Sequence, residues 1–307
     1  MQKKTRSKLL SECIELFREW KGAGNVSPKT IATYMMHIRH FFRWAGDRPI
    51  GEIDDELVLR YIVGSRSQYA PSTIAYRAIA LRQFFGYMER KRWINFAADL
   101  IPVPGYQSKH FYTPTHEEMR QTIANVQGSD FTAMRDRCLL LFLYATGVRV
   151  SEAQSMNVED YDPEKTYASV ESKKHRKRGK VRMVVWDDFT HSVLREYLQM
   201  RQLVARSNAL FIAVDKQHWG KRLTTRSMQR IVVTHRANPR MSPHTIRHRY
   251  GTDLAQAGVY LRTAADLMGH LRMESTANIY QDLDDAFIIN AAKKVFKYRK
   301  TNVDKFM

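Results

Sequence analysis

Residues 244–250 read HTIRHRY, a segment in which four of seven side chains, His244, Arg247, His248 and Arg249, carry or can accept positive charge. Ser242-Pro243 stands directly before it, the cap-and-proline chemistry of a helix start. A helical turn of about 100° per residue then places Ile246, Tyr250 and Leu254 on one stripe toward a core, with His244 and Arg247 on the adjoining edges. His248 falls one turn beyond His244. Such a segment can be a solvated face, a metal site or a clamp for an anion. The His244/His248 pair has the spacing of metal ligands, but no Glu lies between them and Arg247 would repel a cation. A solvated face is the ordinary reading, yet no acid within the stretch balances these charges. An anion is therefore the expected partner.

Upstream, residues 138–148 (CLLLFLYATGV) belong to a pattern apolar nearly all round, which predicts a buried helix ended by a left-handed Gly147. Arg149 follows, within TGVRVSE, at the start of the next helix. Residues 167–172 and 181–186 alternate as strands, so the basic run KKHRKRGK between them reads as a hairpin tip behind one small antiparallel sheet. Helical patterns return in LREYLQMRQLV, SMQRIVVTHRA and LRTAADLMGH, the last ending at His270. Tyr280 lies within ANIYQD, and DAFIINAAKKVFKYRK reads as a basic amphipathic C-terminal helix, placed on its own domain or on a neighbour's.

The first third of the chain contains a repeat. SPKTIATYMMHIRHFFRWA from Ser27 and APSTIAYRAIALRQFFGYM from Ala70 share Pro28/Pro71, Thr30/Thr73, Ile31/Ile74, Arg39/Arg82 and a Phe-Phe pair. Two copies are too few for a solenoid, so a compact domain of two similar helix pairs is expected. Arg39, Arg82, His37 and His40 fall on its other faces, open to phosphates or simply to water. Two prolines and a glycine in IPVPGYQSKH mark a linker. The expected division is a helical domain over 1–104, a linker over 105–113, a second domain over 114–285 and a basic tail over 286–307.

The formal net charge of +19 over 307 residues is spread along the chain, at +7 for 1–106, +7 for 107–285 and +5 for 286–307. Charge of one sign along the whole length favours a long polyanion over a local acidic patch. Cys13 and Cys138 each sit in an apolar helical pattern, so buried free thiols are expected rather than a disulfide framework, as fits a reducing cytoplasm. No stretch reaches the roughly 18 uncharged apolar residues of a membrane span, and acidic residues stand where a signal peptide would be apolar.

TGVRVSE, Lys173, HTIRH, LMGH and Tyr280, in that order and spacing, resemble the tyrosine site-specific recombinases, also called the phage integrase family. The resemblance covers nearly the whole chain. It implies a mainly α fold, with an N-terminal helical, SAM-like core-binding domain and a mostly helical catalytic domain holding one small antiparallel sheet. The family's catalytic arginines fall on Arg149 and Arg247, its hairpin lysine on Lys173, its histidines on His244 and His270, and its nucleophile on Tyr280. Lys173 is followed by a longer basic tip than is usual in the family, which leaves Lys174 as the alternative. The spacing from His270 to Tyr280 is one residue longer than the commonest one.

The resemblance also implies strand cleavage and rejoining through a 3′-phosphotyrosine, by a homotetramer on two synapsed sites of double-stranded DNA, with no metal, cofactor or membrane. Accessory DNA-bending partners are left open. Two other functions would use a similar fold: strand relaxation of the type IB topoisomerase kind, and regulation by an inactive DNA-binding protein.

Overall fold

The computed structural model describes residues 8–105, 112–171 and 181–269. The chain divides into two compact units, Met1–Lys109 and His110–Met307.

The first unit packs four helices, α1 (Leu10–Ala23), α2 (Pro28–Ala45), α3 (Asp55–Gly64) and α4 (Pro71–Arg90). The two repeated segments are α2 and α4, each with a proline in its first turn; Ser27 caps α2 by accepting the Thr30 amide at 3.1 Å. Their shared phenylalanines build the core. Phe41 meets Phe85 and Tyr61 edge-on, and Phe84 does the same with Phe85 and with Phe17 of α1. All five rings are almost fully buried.

Two residues expected on the outside of α2 are turned inward. His37 is buried, and His40 bonds Tyr61 Oη and Tyr69 Oη through its two ring nitrogens, each at 2.9 Å. Arg77 lies beneath, its guanidinium 3.6 Å from the Tyr69 ring centroid. Arg82 is likewise committed, donating from Nε to the Ile101 carbonyl at 2.5 Å, whereas Arg39 stays exposed. The helical period places these histidines beside the apolar stripe, and for His40 the two tyrosine hydroxyls supply the partners that make its partial burial tolerable.

The second unit is also mainly helical: α5 (His116–Ala124), α6 (Phe131–Thr146), α7 (Val150–Ser155), α8 (Asp188–Gln202), α9 (Thr225–His235), α10 (Pro243–Gln256) and α11 (Leu261–Met268). One antiparallel pair, β1 (Tyr167–Glu171) and β2 (Val181–Val185), is the only sheet among the described residues; Val170 faces Arg182 in its register. α6 is the central helix. Asp130 caps it, its apolar residues are buried around most of the circumference, and Arg135 and Asp136 pair with each other inside at 2.6 Å. The expected stop is present, with Gly147 at φ +55°. A Cβ there would lie 2.3 Å from Tyr250 Cδ1, so Gly147 is needed for close approach as well as for its dihedral.

Both thiols are buried and free, and burial pushes Cys13 up to about 11 and Cys138 higher still. No described helix is long and apolar enough to cross a membrane.

Burial, and then Arg77, hold His37 and His40 below the ordinary histidine value. A depressed folded-state pKa means that the unfolded chain binds protons first on acidification. Their contribution to stability is thus complete above about pH 6.5 and is lost as pH falls through the folded values. Thermal unfolding followed between pH 7 and pH 5 should show the first unit weakening. A His37→Gln/His40→Gln variant should flatten that dependence.

Candidate active site

The site begins at the N-cap of α10, where Ser242 accepts the Thr245 amide at 3.3 Å and Pro243 opens the helix. His244 stands exposed in the first turn, and Arg247 comes three residues later on the same side. Arg247 is not on an edge. It is 6 % exposed, while Tyr250 and Leu254 of the expected core stripe are only half-buried and Ile246 is fully inside. Arg249 is also buried, and its charge is not left unbalanced, because Asp253 one turn on pairs with it at 2.5 Å and Gln256 accepts from it at 2.8 Å. The balancing acid lies just beyond the quoted stretch, at the i,i+4 position. His248 is engaged as well, its Nδ1 2.9 Å from Thr113 Oγ1. Within the basic cluster, the exposed His244 and the buried Arg247 share one side of α10.

Arg149 is the N-cap residue of α7. Glu152, at the third helical position, accepts the Arg149 backbone amide at 2.9 Å and pairs with its guanidinium at 2.7 Å. The same carboxylate holds Arg182 of β2 at 2.8 Å. Burial pushes the Glu152 carboxyl up, but Arg182 and Arg149 outweigh it, and the group stays below the usual range. It is a fixed anion at neutral pH.

The three guanidiniums meet again at the end of α11. Arg182 Nη1 donates to the carbonyl of Leu267, Arg247 Nη2 to that of Met268, and Arg149 Nη2 to that of Gly269 at 2.9 Å. Arg247 Nη1 also reaches the Gly147 carbonyl at 2.5 Å. Three successive carbonyls at the negative end of a helix thus hold three arginines from three separate elements. Gly269 makes this possible with φ +62°; a Cβ there would fall 2.5 Å from Arg182 Cδ.

Burial, then repulsion from Arg149 and Arg182, push Arg247 down to about 9, so it keeps its charge at neutral pH at considerable cost. With three guanidiniums against one carboxylate, the cluster carries an excess of positive charge that an incoming anion would relieve. Planar forks of this kind match the paired oxygens of a phosphate.

Of the residues singled out in the sequence, the structure brings together Arg149 and Arg247, with His244 on the same helix side as Arg247. Lys173, its alternative Lys174, His270 and Tyr280 lie outside the described residues, as does the C-terminal helix. Glu152 and Arg182 were not singled out. Glu152 stands three residues after Arg149, where a capping carboxylate belongs. Arg182 occupies an inward position of an otherwise apolar strand, the one place where an arginine must have a partner.

The chain belongs to the phage integrase family, whose profile matches residues 113–286; the profile of the phage integrase N-terminal SAM-like domain matches residues 14–92. It is similar to tyrosine recombinase XerC of Pelotomaculum thermopropionicum, 29% identical over 275 residues that cover 82% of this chain and 87% of that one. Among solved structures, a lambda integrase dimer bound to a COC′ core site aligns with a TM-score of 0.73 at 14% identity, over 91% of this chain and 78% of that one. XerH site-specific recombinase bound to a palindromic difH substrate aligns with a TM-score of 0.69 at 21% identity, over 92% and 84%. These two likenesses are of fold.

Glu152, 2 % exposed, is the shared anion of two guanidiniums. Glu152→Gln should therefore cost about 3–5 kcal/mol, the usual consequence of breaking a buried pair from one side. Denaturant titration measures it. Glu117→Gln serves as the control, since its pair with Arg120 lies in solvent and its loss should leave the transition in place.

Proposed function

We propose that this chain is a site-specific DNA recombinase, which cuts and rejoins strands by transesterification with Tyr280 as nucleophile. The observation that carries the reading is the pair of guanidiniums, Arg149 and Arg247, held on adjacent carbonyls at the end of α11. A phosphodiester repels nucleophiles, and attack adds charge at phosphorus, so fixed cations aimed at its non-bridging oxygens lower the barrier. Because these cations are oriented before substrate arrives, no reorganisation is required during the reaction.

Tyr280 Oη attacks phosphorus and the bond to the 5′ oxygen breaks, leaving a 3′-phosphotyrosine and a free 5′ hydroxyl. A phenol with an ordinary pKa of about 10 must lose its proton as it attacks. His244, exposed in the first turn of α10, takes that proton directly or through water. Lys173 gives one to the departing oxygen, and His270 hydrogen-bonds the phosphate. Reversal by the 5′ hydroxyl of another strand completes the exchange with no external energy source, because the phosphotyrosine ester preserves the bond.

The partner is double-stranded DNA. Positive charge in every part of the chain supports this, as does the solved lambda integrase dimer, which is bound to a core site. Several copies act together, four of them on two synapsed sites, because complete exchange between two duplexes cuts four strands and each copy supplies one Tyr280. The free buried thiols and the lack of a described membrane-spanning helix fit action in the cytoplasm.

The test is incubation with nicked duplexes from a random pool, denaturation, and recovery and sequencing of DNA covalently attached to protein. Attachment should occur at a defined sequence. Tyr280→Phe should abolish it while binding is retained, and Arg247→Ala should abolish it with only a modest change in affinity. Attachment by the Tyr280→Phe variant would refute the reading.

A further inference from the structure

We propose that Arg182 is a positioning residue of the transesterification site, an inference that rests on the recombinase reading above. It acts from β2 without touching the phosphate, by fixing Glu152 and the exit of α11, and through them the forks of Arg149 and Arg247.

The geometry assigns it three tasks at once. One Nη holds the Glu152 carboxylate at 2.8 Å, leaving that carboxylate's other oxygen to Arg149 at 2.7 Å. The other Nη holds the Leu267 carbonyl, beside the Met268 and Gly269 carbonyls that hold Arg247 and Arg149. Its Cδ and Nε fill the space over Gly269, 2.5 and 2.8 Å from where a Cβ would stand. Arg149 therefore shares the Glu152 carboxylate with Arg182, and both catalytic guanidiniums bond carbonyls one and two residues past the one that Arg182 holds.

Stability is a poor explanation for the arrangement. The Arg182 side chain is 5 % exposed, at an inward strand position whose neighbour on the same face is Val184. A cluster with apolar side chains in place of both Glu152 and Arg182 would carry no such desolvation cost, and exchanging a whole buried ion pair for apolar groups is commonly neutral or favourable. What an apolar residue cannot do is span a carboxylate and a carbonyl with a rigid planar fork. Lysine could keep the charge but would offer a single point donor.

Arg182 also adds to the field on its neighbours. After burial and Arg149, it is the next influence holding the Arg247 value down. Repulsion among three cations is relieved when an anion binds, and further relieved as negative charge accumulates during attack. Such an arrangement favours the transition state over the bound ground state.

The experiment uses the full-length protein and the duplex recovered by covalent trapping. Its scissile phosphate is made either as the native anion or as a methylphosphonate, in which methyl replaces one non-bridging oxygen and the charge is lost. Single-turnover attachment is measured at saturating DNA for wild type, Arg182→Met and Arg182→Lys. On the native duplex, Arg182→Met should be slower by about 100-fold and Arg182→Lys by about 10-fold, with DNA affinity within about threefold of wild type. On the neutral duplex both losses should shrink to about threefold or less, since less charge has to be stabilised.

Equal losses on the two duplexes would mean a merely structural role and overturn the inference. Undiminished rates on the native duplex would do so too, as would a wild type that attacks only the charged one. If Arg182→Met does not accumulate as folded protein, Arg182→Lys carries the same comparison. Failure of the wild type to attach to any duplex would instead overturn the recombinase reading itself.

Discussion

Crowded like charge is the constraint around which the second unit is organised. Three guanidiniums packed together repel one another, and burial removes the water that would screen them. The fold answers with two sources of negative charge. One is the carboxylate of Glu152, fixed at the start of α7, and the other is the run of three carbonyls that ends α11. A helix C-terminus leaves its last carbonyls without intrahelical partners, and here that deficit supplies the acceptors the arginines need. Each side satisfies the other. A net positive charge remains on the cluster.

Because the arginines come from an N-cap, a strand and a helix interior, the elements that carry them must meet with little tolerance. The two left-handed glycines are where this is achieved. Gly147 lets the chain leave α6 and reach Arg149 within two residues, with its carbonyl free to receive Arg247. Gly269 turns the chain out of α11 beneath the Arg182 side chain. A side chain would meet Tyr250 at the first position and Arg182 at the second, so backbone conformation and the packing of the arginine cluster are secured by the same residues.

Much of this was legible in the sequence, and the parts that were not share a cause. The helices, the hairpin strands, the stop at Gly147 and the buried cysteines follow from local chemistry and periodicity, which the chain states directly. His37, His40 and Arg82 were read as surface groups because a pattern reports which face is apolar. It does not report that Tyr61, Tyr69 and the Ile101 carbonyl wait to receive a polar group there. Arg249 looked unbalanced because Asp253 lies one turn past the quoted segment. Arg149 and Arg247 follow from their order along the chain, and Glu152 lies within TGVRVSE, three residues past Arg149, whereas Arg182 meets it from 30 residues away. Partnerships between distant polar groups are what a linear reading loses.

The contact between Tyr250 and Gly147 bears on more than the packing of α10 against α6. Tyr250 Cδ1, Cγ and Cβ close over bare backbone two residues before Arg149, from the very helix that carries Arg247. The two arginines thus stand on backbones joined at this one contact, Arg149 two residues past Gly147 and Arg247 three residues before Tyr250. Positions 147 and 250 are tied to each other, since a side chain at 147 would collide with the ring. Trimming the ring would relieve the crowding but not the dihedral, so a side chain at 147 would still be strained at φ +55°.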